Sequence, residues 1–329
     1  MKFSKLHHIG AVATISLLGL TGCGLKPSTS EVPAASAGSI QPIDGAEGQK
    51  LTVGAKNFTE QVILGKIGVL VADAAGFEVT DMTNIPGSQP ARKVMLNGEV
   101  DMEWEYTGTA WMTYMGNSES IADQTAMWNA VSEADKKNGL TWGKPSELNN
   151  TYSFAVRSDY AKEHDLTKLS DIAKLPAEDR TLCIEAEFNS RSDGLNGMLK
   201  TYDMPRGEAN GLPDGNISIM DTGTVYTATA DGSCNFGEVF TTDGRIKALN
   251  LTVLEDDRQY FPAYNAAAVF NTETLQRYPE LEGAYDQVAA KLNNDVMMDL
   301  NYKVDVEGQD PAQVAYDWMV QEGFISAAK

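Results

Sequence analysis

The stretch Asp101-Met-Glu-Trp-Glu-Tyr-Thr-Gly-Thr109 places two aromatic rings, Trp104 and Tyr106, and three carboxylates, Asp101, Glu103 and Glu105, at the end of a strand. A Thr-Gly-Thr turn follows, and a helix opens behind it. Strand ends that run into helix starts are where α/β proteins set the groups that touch a ligand. The stretch therefore reads as one wall of a ligand cleft, for which the rest of the chain must supply the opposite wall, the hinge and the tether.

Working outward, 51–55 reads as a strand, and Asn57-Phe-Thr-Glu-Gln61 leads into a helix. Val62, Ile63, Ile67, Leu70, Val71 and Ala74 mark its buried face, and Gly76 is its stop. A strand over 77–83, a short helix over 92–97 and a strand over 100–104 complete a strand–helix–strand–helix–strand run. Such a run implies right-handed crossovers and a mostly parallel sheet. Helical pattern resumes across 122–137. A second α/β block follows, with strands expected at 152–156, 180–186, 216–220, 234–240, 251–254 and 266–270. Helices are expected at 169–175, 195–202 and 225–230. The tail is helical over 281–300 and again from Asp310-Pro311 to Glu322, with Asp310 as N-cap and Pro311 in the first turn. At 329 residues the chain is long enough for two domains.

Composition narrows the function. A formal charge of −20, from 26 basic against 46 acidic residues, argues against binding nucleic acid or an anionic membrane surface. Three histidines occur, and His7 and His8 fall in a segment expected to be removed, which leaves His164. A His-dependent nucleophile triad or a multi-His zinc site is therefore hard to assemble, and neither cofactor nor metal is expected.

Residues 1–22 read as an export signal: Lys2 and Lys5 precede an apolar run over 9–20 that is too short to span a bilayer comfortably. The signal ends in Leu20-Thr21-Gly22-Cys23, which resembles the bacterial lipobox, so Cys23 is the expected lipidated N-terminus of the mature protein. Residues 23–50, rich in Ser, Ala, Gly and Pro, read as a flexible tether. Cys183 and Cys234 are the other cysteines. In an exported chain they are expected to form one disulfide, the alternative being two buried free thiols.

At Asn57-Phe-Thr-Glu-Gln-Val-Ile-Leu-Gly65 and Glu105-Tyr-Thr-Gly-Thr109 the chain resembles the osmoprotectant-binding lipoproteins of bacterial ABC importers, the glycine betaine/carnitine/choline-binding proteins. Asn149-Asn-Thr-Tyr152, Phe240-Thr-Thr-Asp-Gly244, Leu254-Glu-Asp-Asp257 and Asn301-Tyr-Lys-Val-Asp305 agree in the same order, and the resemblance covers about 51–325. It implies a type II periplasmic-binding-protein-like fold, in which two α/β domains close on a ligand about a two-strand hinge. The expected boundaries are 51–150 plus 265–329 for the first domain and 151–264 for the second, with crossings near Asn150 and Tyr264. It also implies a monomeric, membrane-anchored, extracytoplasmic receptor that hands a quaternary amine to permease subunits.

A trimethylammonium has no N–H donor, so it is recognised by ring faces, each contact giving roughly 0.5–2 kcal/mol. The resemblance assigns such a cage to Tyr106, Tyr152, Tyr226 and Tyr264, with Tyr260 as the alternative to Tyr264. Arg191 stands where the family has a basic residue beside the cleft and suits a ligand carboxylate, or pairs with Asp193 at the surface. Gln61 and Thr109 are expected polar contacts, and Trp104 is either an extra ring of the cleft or packing. Glu103 and Glu105 are expected to be structural or at the rim. The competing readings are a same-fold receptor for another solute, such as an amino acid, and an exported enzyme built on paired carboxylates.

Overall fold

Two five-stranded sheets, each flanked by helices, organise the chain. The computed structural model describes residues 30–328 apart from Ala122 and Ala209, so the export signal and Cys23 lie outside the described residues. The first sheet runs in the order Glu78–Ile85, Lys50–Lys56, Met102–Tyr106, Asn265–Asn271, Leu140–Asn149. The second runs Leu251–Val253, Tyr152–Arg157, Phe236–Phe240, Leu182–Ile184, Ile217–Ile219. The chain passes between the sheets at 149–152 and again at 262–265, and the two passages lie side by side. The Asn150 N–H donates to the Tyr264 carbonyl at 3.2 Å, and the Tyr264 N–H donates to Asn149 Oδ1 at 2.7 Å.

The sheets are mixed rather than mostly parallel, which corrects the expectation from the repeating strand–helix pattern. In the first sheet Lys50–Lys56 pairs in parallel with Glu78–Ile85 and Met102–Tyr106, but Asn265–Asn271 is antiparallel to both of its neighbours. Helical crossovers give the parallel pairs. Asn265–Asn271 instead arrives from the other sheet and enters in the opposite sense. Strand Leu140–Asn149 carries no sequence signal, because Gly143 and Pro145 interrupt it, and its register with Asn265–Asn271 is irregular there.

Helix Thr59–Ala74 is buried on nearly every side, not on one face alone. It lies between the sheet and helices Asn294–Asp305 and Pro311–Gln321. Gly65 permits the close approach: a Cβ there would stand 2.4 Å from Thr83 Cγ2 and 2.6 Å from Ala55 Cβ. Trp104, fully buried against Tyr285, is a packing residue of this core and not a ring of the cleft. The tail expected as one helix over 281–300 is two, Glu280–Ala289 and Asn294–Asp305, because Asn293 breaks the run and caps the second by accepting from Val296 N.

Part of the expected tether is folded. Ala35–Ala37 pairs antiparallel with Ile325–Ala327, Ile40 and Ala46 are buried, and the buried Lys66 ammonium donates to the Ser30 carbonyl at 2.7 Å and to Asp81 at 2.5 Å. Backbone pairing with the C-terminal strand, in a two-stranded sheet of its own, and one buried cation hold a segment whose composition alone supplies little apolar surface.

Cys183, on Leu182–Ile184, and Cys234, just before the adjacent strand Phe236–Phe240, form a disulfide with Cα atoms 5.8 Å apart that closes a 51-residue separation. Replacing both cysteines by Ala is expected to cost about 2–4 kcal/mol of unfolding free energy in urea titrations. Mass measurement of the native chain is expected to find neither thiol free.

Candidate functional site

The rings expected at the cleft are brought together by strand register. Tyr106 ends its strand opposite Ala266, beside the chain's return passage. Tyr152 begins the first strand of the second sheet and pairs directly with Phe240, which ends its neighbour. Tyr264 stands on the return passage itself, held edge-on to Tyr152 with centroids 5.5 Å apart. Gly108 makes room for it: a Cβ there would lie 2.6 Å from the Tyr264 ring and 2.8 Å from the Ala263 carbonyl. Phe240 packs against Tyr152 at 5.3 Å and stacks on Phe58 at 5.3 Å, and Phe58 in turn faces Tyr106 at 6.3 Å. A cavity of about 510 Å³ opens between the sheets, with Phe58, Tyr106, Tyr152, Phe240 and Tyr264 on its walls.

Cations flank the rings, each already paired. Lys56 Nζ lies 4.9 Å from the Tyr106 centroid and 2.6 Å from Glu105 Oε1. The Arg191 guanidinium sits 5.5 Å from the Tyr152 centroid and 5.9 Å from that of Tyr264. It is buried rather than at the surface, yet its fork goes to Asp193 at 2.8 and 2.5 Å. Its Nη2 also reaches Thr109 Oγ1 at 3.5 Å and its Nη1 reaches Glu187 at 3.2 Å. Glu187 accepts from Ser88 Oγ of the other lobe at 2.5 Å, and its carboxyl is held below the usual range by Ser88 and Arg191, against the effect of burial. The arrangement offers ring faces to an apolar cation and, in Lys56, Arg191 and Arg245, fixed positive groups to an anion.

A family profile described as the substrate-binding domain of ABC-type glycine betaine transport systems matches residues 49–321. The chain belongs to that family. It is 37% identical over 282 residues to the glycine-betaine-binding protein of Pseudomonas aeruginosa, covering 83% of this chain and 88% of that protein. It is 29% identical over 293 residues to the carnitine transport binding protein OpuCC of Listeria monocytogenes, covering 88% and 92% of the two chains. A solved glycine betaine/carnitine/choline ABC transporter structure superposes with a TM-score of 0.69 at 27% identity, over 84% of this chain and 99% of that one. These relatives are solute-binding proteins of transporters, and the solved one shares this chain's fold. The chain is a transport binding protein, not an enzyme.

Within this family fold, five of the seven expected site residues line the cavity: Tyr106, Thr109, Tyr152, Arg191 and Tyr264. Two do not. Tyr226 lies behind the wall, its hydroxyl accepting from the Phe240 N–H at 3.0 Å and its ring covered by Arg245 at 4.5 Å. The helix Thr222–Ala230 turns this side chain toward Ala155, Val239 and Leu251. Gln61 is fully buried on helix Thr59–Ala74, where its Oε1 accepts from the Lys56 N–H at 3.4 Å. Tyr260 points elsewhere, donating to the carbonyls of Ser192 and Gly194. Phe58, Lys56 and Phe240 line the cavity too, and sequence reasoning misses them as site residues. The signal for Phe240 was present, since it opens the quoted Phe240-Thr-Thr-Asp-Gly244 segment.

Glu103 and Glu105 are buried, not at the rim. Burial first, and the neighbouring Glu105 second, push the Glu103 carboxyl up to about 8, against the pull of Lys56. Because the folded chain holds this proton more tightly than an unfolded glutamate at about 4.3, the stability it contributes is complete below that pH and lost as pH rises through about 8. Urea unfolding across pH 5 to 9 is expected to show a decline on the order of 1–3 kcal/mol that Glu103→Gln flattens.

Proposed function

We propose that this protein captures a quaternary-ammonium solute of the glycine betaine, carnitine or choline type in an aromatic cage and delivers it to an ABC permease. The observation that carries the reading is the belt of five rings, drawn from both lobes, around one cleft. Tyr106, Tyr152, Tyr264 and Phe240 supply ring faces, and Phe58 closes the apolar corner. Phe240 replaces Tyr226 in this role and keeps the cation–π face without a hydroxyl. A ligand carboxylate would be met by Arg191, Lys56 and Thr109, which favours zwitterions over choline. Pairing of Arg191 with Asp193 and of Lys56 with Glu105 leaves partial, oriented positive charge rather than two free cations.

Closure about the paired passages at Asn150 and Tyr264 joins the two walls, and the closed form presents both lobes to the permease. Lipid on Cys23 would hold the receptor at the outer face of the membrane as a monomer. The cavity also admits a bulkier betaine. One relative, 31% identical over 88% of this chain and 50% of its own length, is the ergothioneine transport permease/binding protein EgtU of Helicobacter pylori.

Calorimetric titration with glycine betaine, carnitine, proline betaine, choline, ectoine and ergothioneine tests the reading. A dissociation constant near micromolar, on the order of −8 kcal/mol, is expected for at least one quaternary amine, and none tighter than millimolar would overturn it. Tyr106→Ala, Tyr152→Ala and Phe240→Ala are each expected to weaken that ligand about 3- to 30-fold, while Tyr226→Phe leaves affinity within about twofold. Separately, Cys23→Ala is expected to move the protein from the membrane fraction to the soluble fraction and abolish acyl labelling.

A further inference from the structure

Glu60, in the first turn at the cleft-facing end of helix Thr59–Ala74, is a buried carboxylate that the cage itself does not use. Its oxygens accept four hydrogen bonds. Oε1 takes the Tyr106 hydroxyl at 2.7 Å and the Asn150 amide at 2.9 Å. Oε2 takes the Thr242 hydroxyl at 2.6 Å and the Asn301 amide at 3.1 Å. Every donor is neutral, and Glu60 makes no ion pair among the described residues. Other acids nearby differ: Glu105 holds Lys56 at 2.6 Å, Asp193 holds Arg191 at 2.5 Å and Asp243 holds Arg245 at 2.5 Å.

Burial, the largest influence, raises this carboxyl, and the four converging donors pull the other way, toward the ionised form. The charge stands directly behind the phenol of Tyr106, and burial together with Glu60 keeps that phenol protonated, as a donor. A phenol that donates to a carboxylate gains electron density in its ring, and the negative potential of the ring face deepens. A low-dielectric site lets the carboxylate's own field reach a cation on that face.

We propose that Glu60 is the buried counter-charge of the cation site, acting through the Tyr106 ring on a ligand it never touches. The same carboxylate ties the helix to the passage between lobes through Asn150 and to the second lobe through Thr242. The ring is therefore held in place and charged from behind by contacts that close with the cleft. Glu60 is a positioning and field-setting residue, and the inference rests on the cage reading above.

The test compares glycine betaine with its uncharged-head isostere 3,3-dimethylbutanoate, in which carbon replaces the quaternary nitrogen, each titrated to saturation on the wild type and on Glu60→Gln. Expected is a loss of about tenfold or more in affinity for glycine betaine, with the isostere changed less than about twofold. Tyr106→Phe, which keeps the ring and breaks its bond to Glu60, is expected to lower betaine affinity several-fold with the same indifference to the isostere, and it serves if Glu60→Gln does not fold. Equal loss for both ligands would reduce Glu60 to a structural hub and overturn the proposal, as would no loss for betaine. A wild type that binds no quaternary amine would instead overturn the cage reading, and this inference with it.

Discussion

The two chain passages between the lobes, hydrogen-bonded side by side at Asn150 and Tyr264, constrain everything else at the site. The passage at 149–152 ends a strand of the first sheet and starts one of the second, and the passage at 262–265 starts Asn265–Asn271, so strand ends of the two lobes meet at one line. Tyr106, opposite Ala266, and Tyr152, opposite Phe240, reach that line by register alone. Tyr264 lies on it. The meeting of these rings on one cleft thus follows from one local pairing, and Gly108 supplies the clearance that lets the Tyr264 ring sit against the Thr107–Thr109 turn.

Contacts across the cleft are of a different kind from those within each lobe. The lobes have apolar cores, whereas the bridges between them, the Phe58–Phe240 stack apart, are polar: Thr242 to Glu60, Ser88 to Glu187, Arg191 to Thr109 and Arg245 to Asp305. Hydrogen bonds that water can replace cost little to open, so such bridges suit an interface that must open and close, while each core stays intact. The disulfide from Cys183 to Cys234 and the N-terminal strand Ala35–Ala37 each stiffen one lobe alone and leave the passages unencumbered.

Charge is handled in the same local way. The chain carries −20 overall, yet Lys56 and Arg191 stand at the cleft, each with its own buried acid. Pairing limits the desolvation cost of a buried cation and fixes its direction. The rings beneath Lys56 and Arg191 then see oriented ion pairs instead of free charges.

The sequence by itself determined the α/β class, most of the strands and helices, the Asp310 cap, the cysteine pairing and the family, because periodicity, capping and short ordered motifs are local properties. It placed Tyr106, Tyr152, Thr109, Arg191 and Tyr264, which stand in or near such motifs. Tertiary structure decided what local pattern does not encode. The sense of Asn265–Asn271 depends on where the chain has been, and the strand at Leu140–Asn149 exists through pairing despite its glycine and proline. The folding of 35–46 depends on an edge built by the last residues of the chain. Above all, which ring faces the ligand depends on what lies in front of it. Tyr226 and Phe240 are both aromatic and both near the site, but Phe240 lines the cavity, whereas the ring of Tyr226 lies under the Arg245 guanidinium. Depth within a packed layer is set by the three-dimensional stacking of elements, and no spacing along the chain records it.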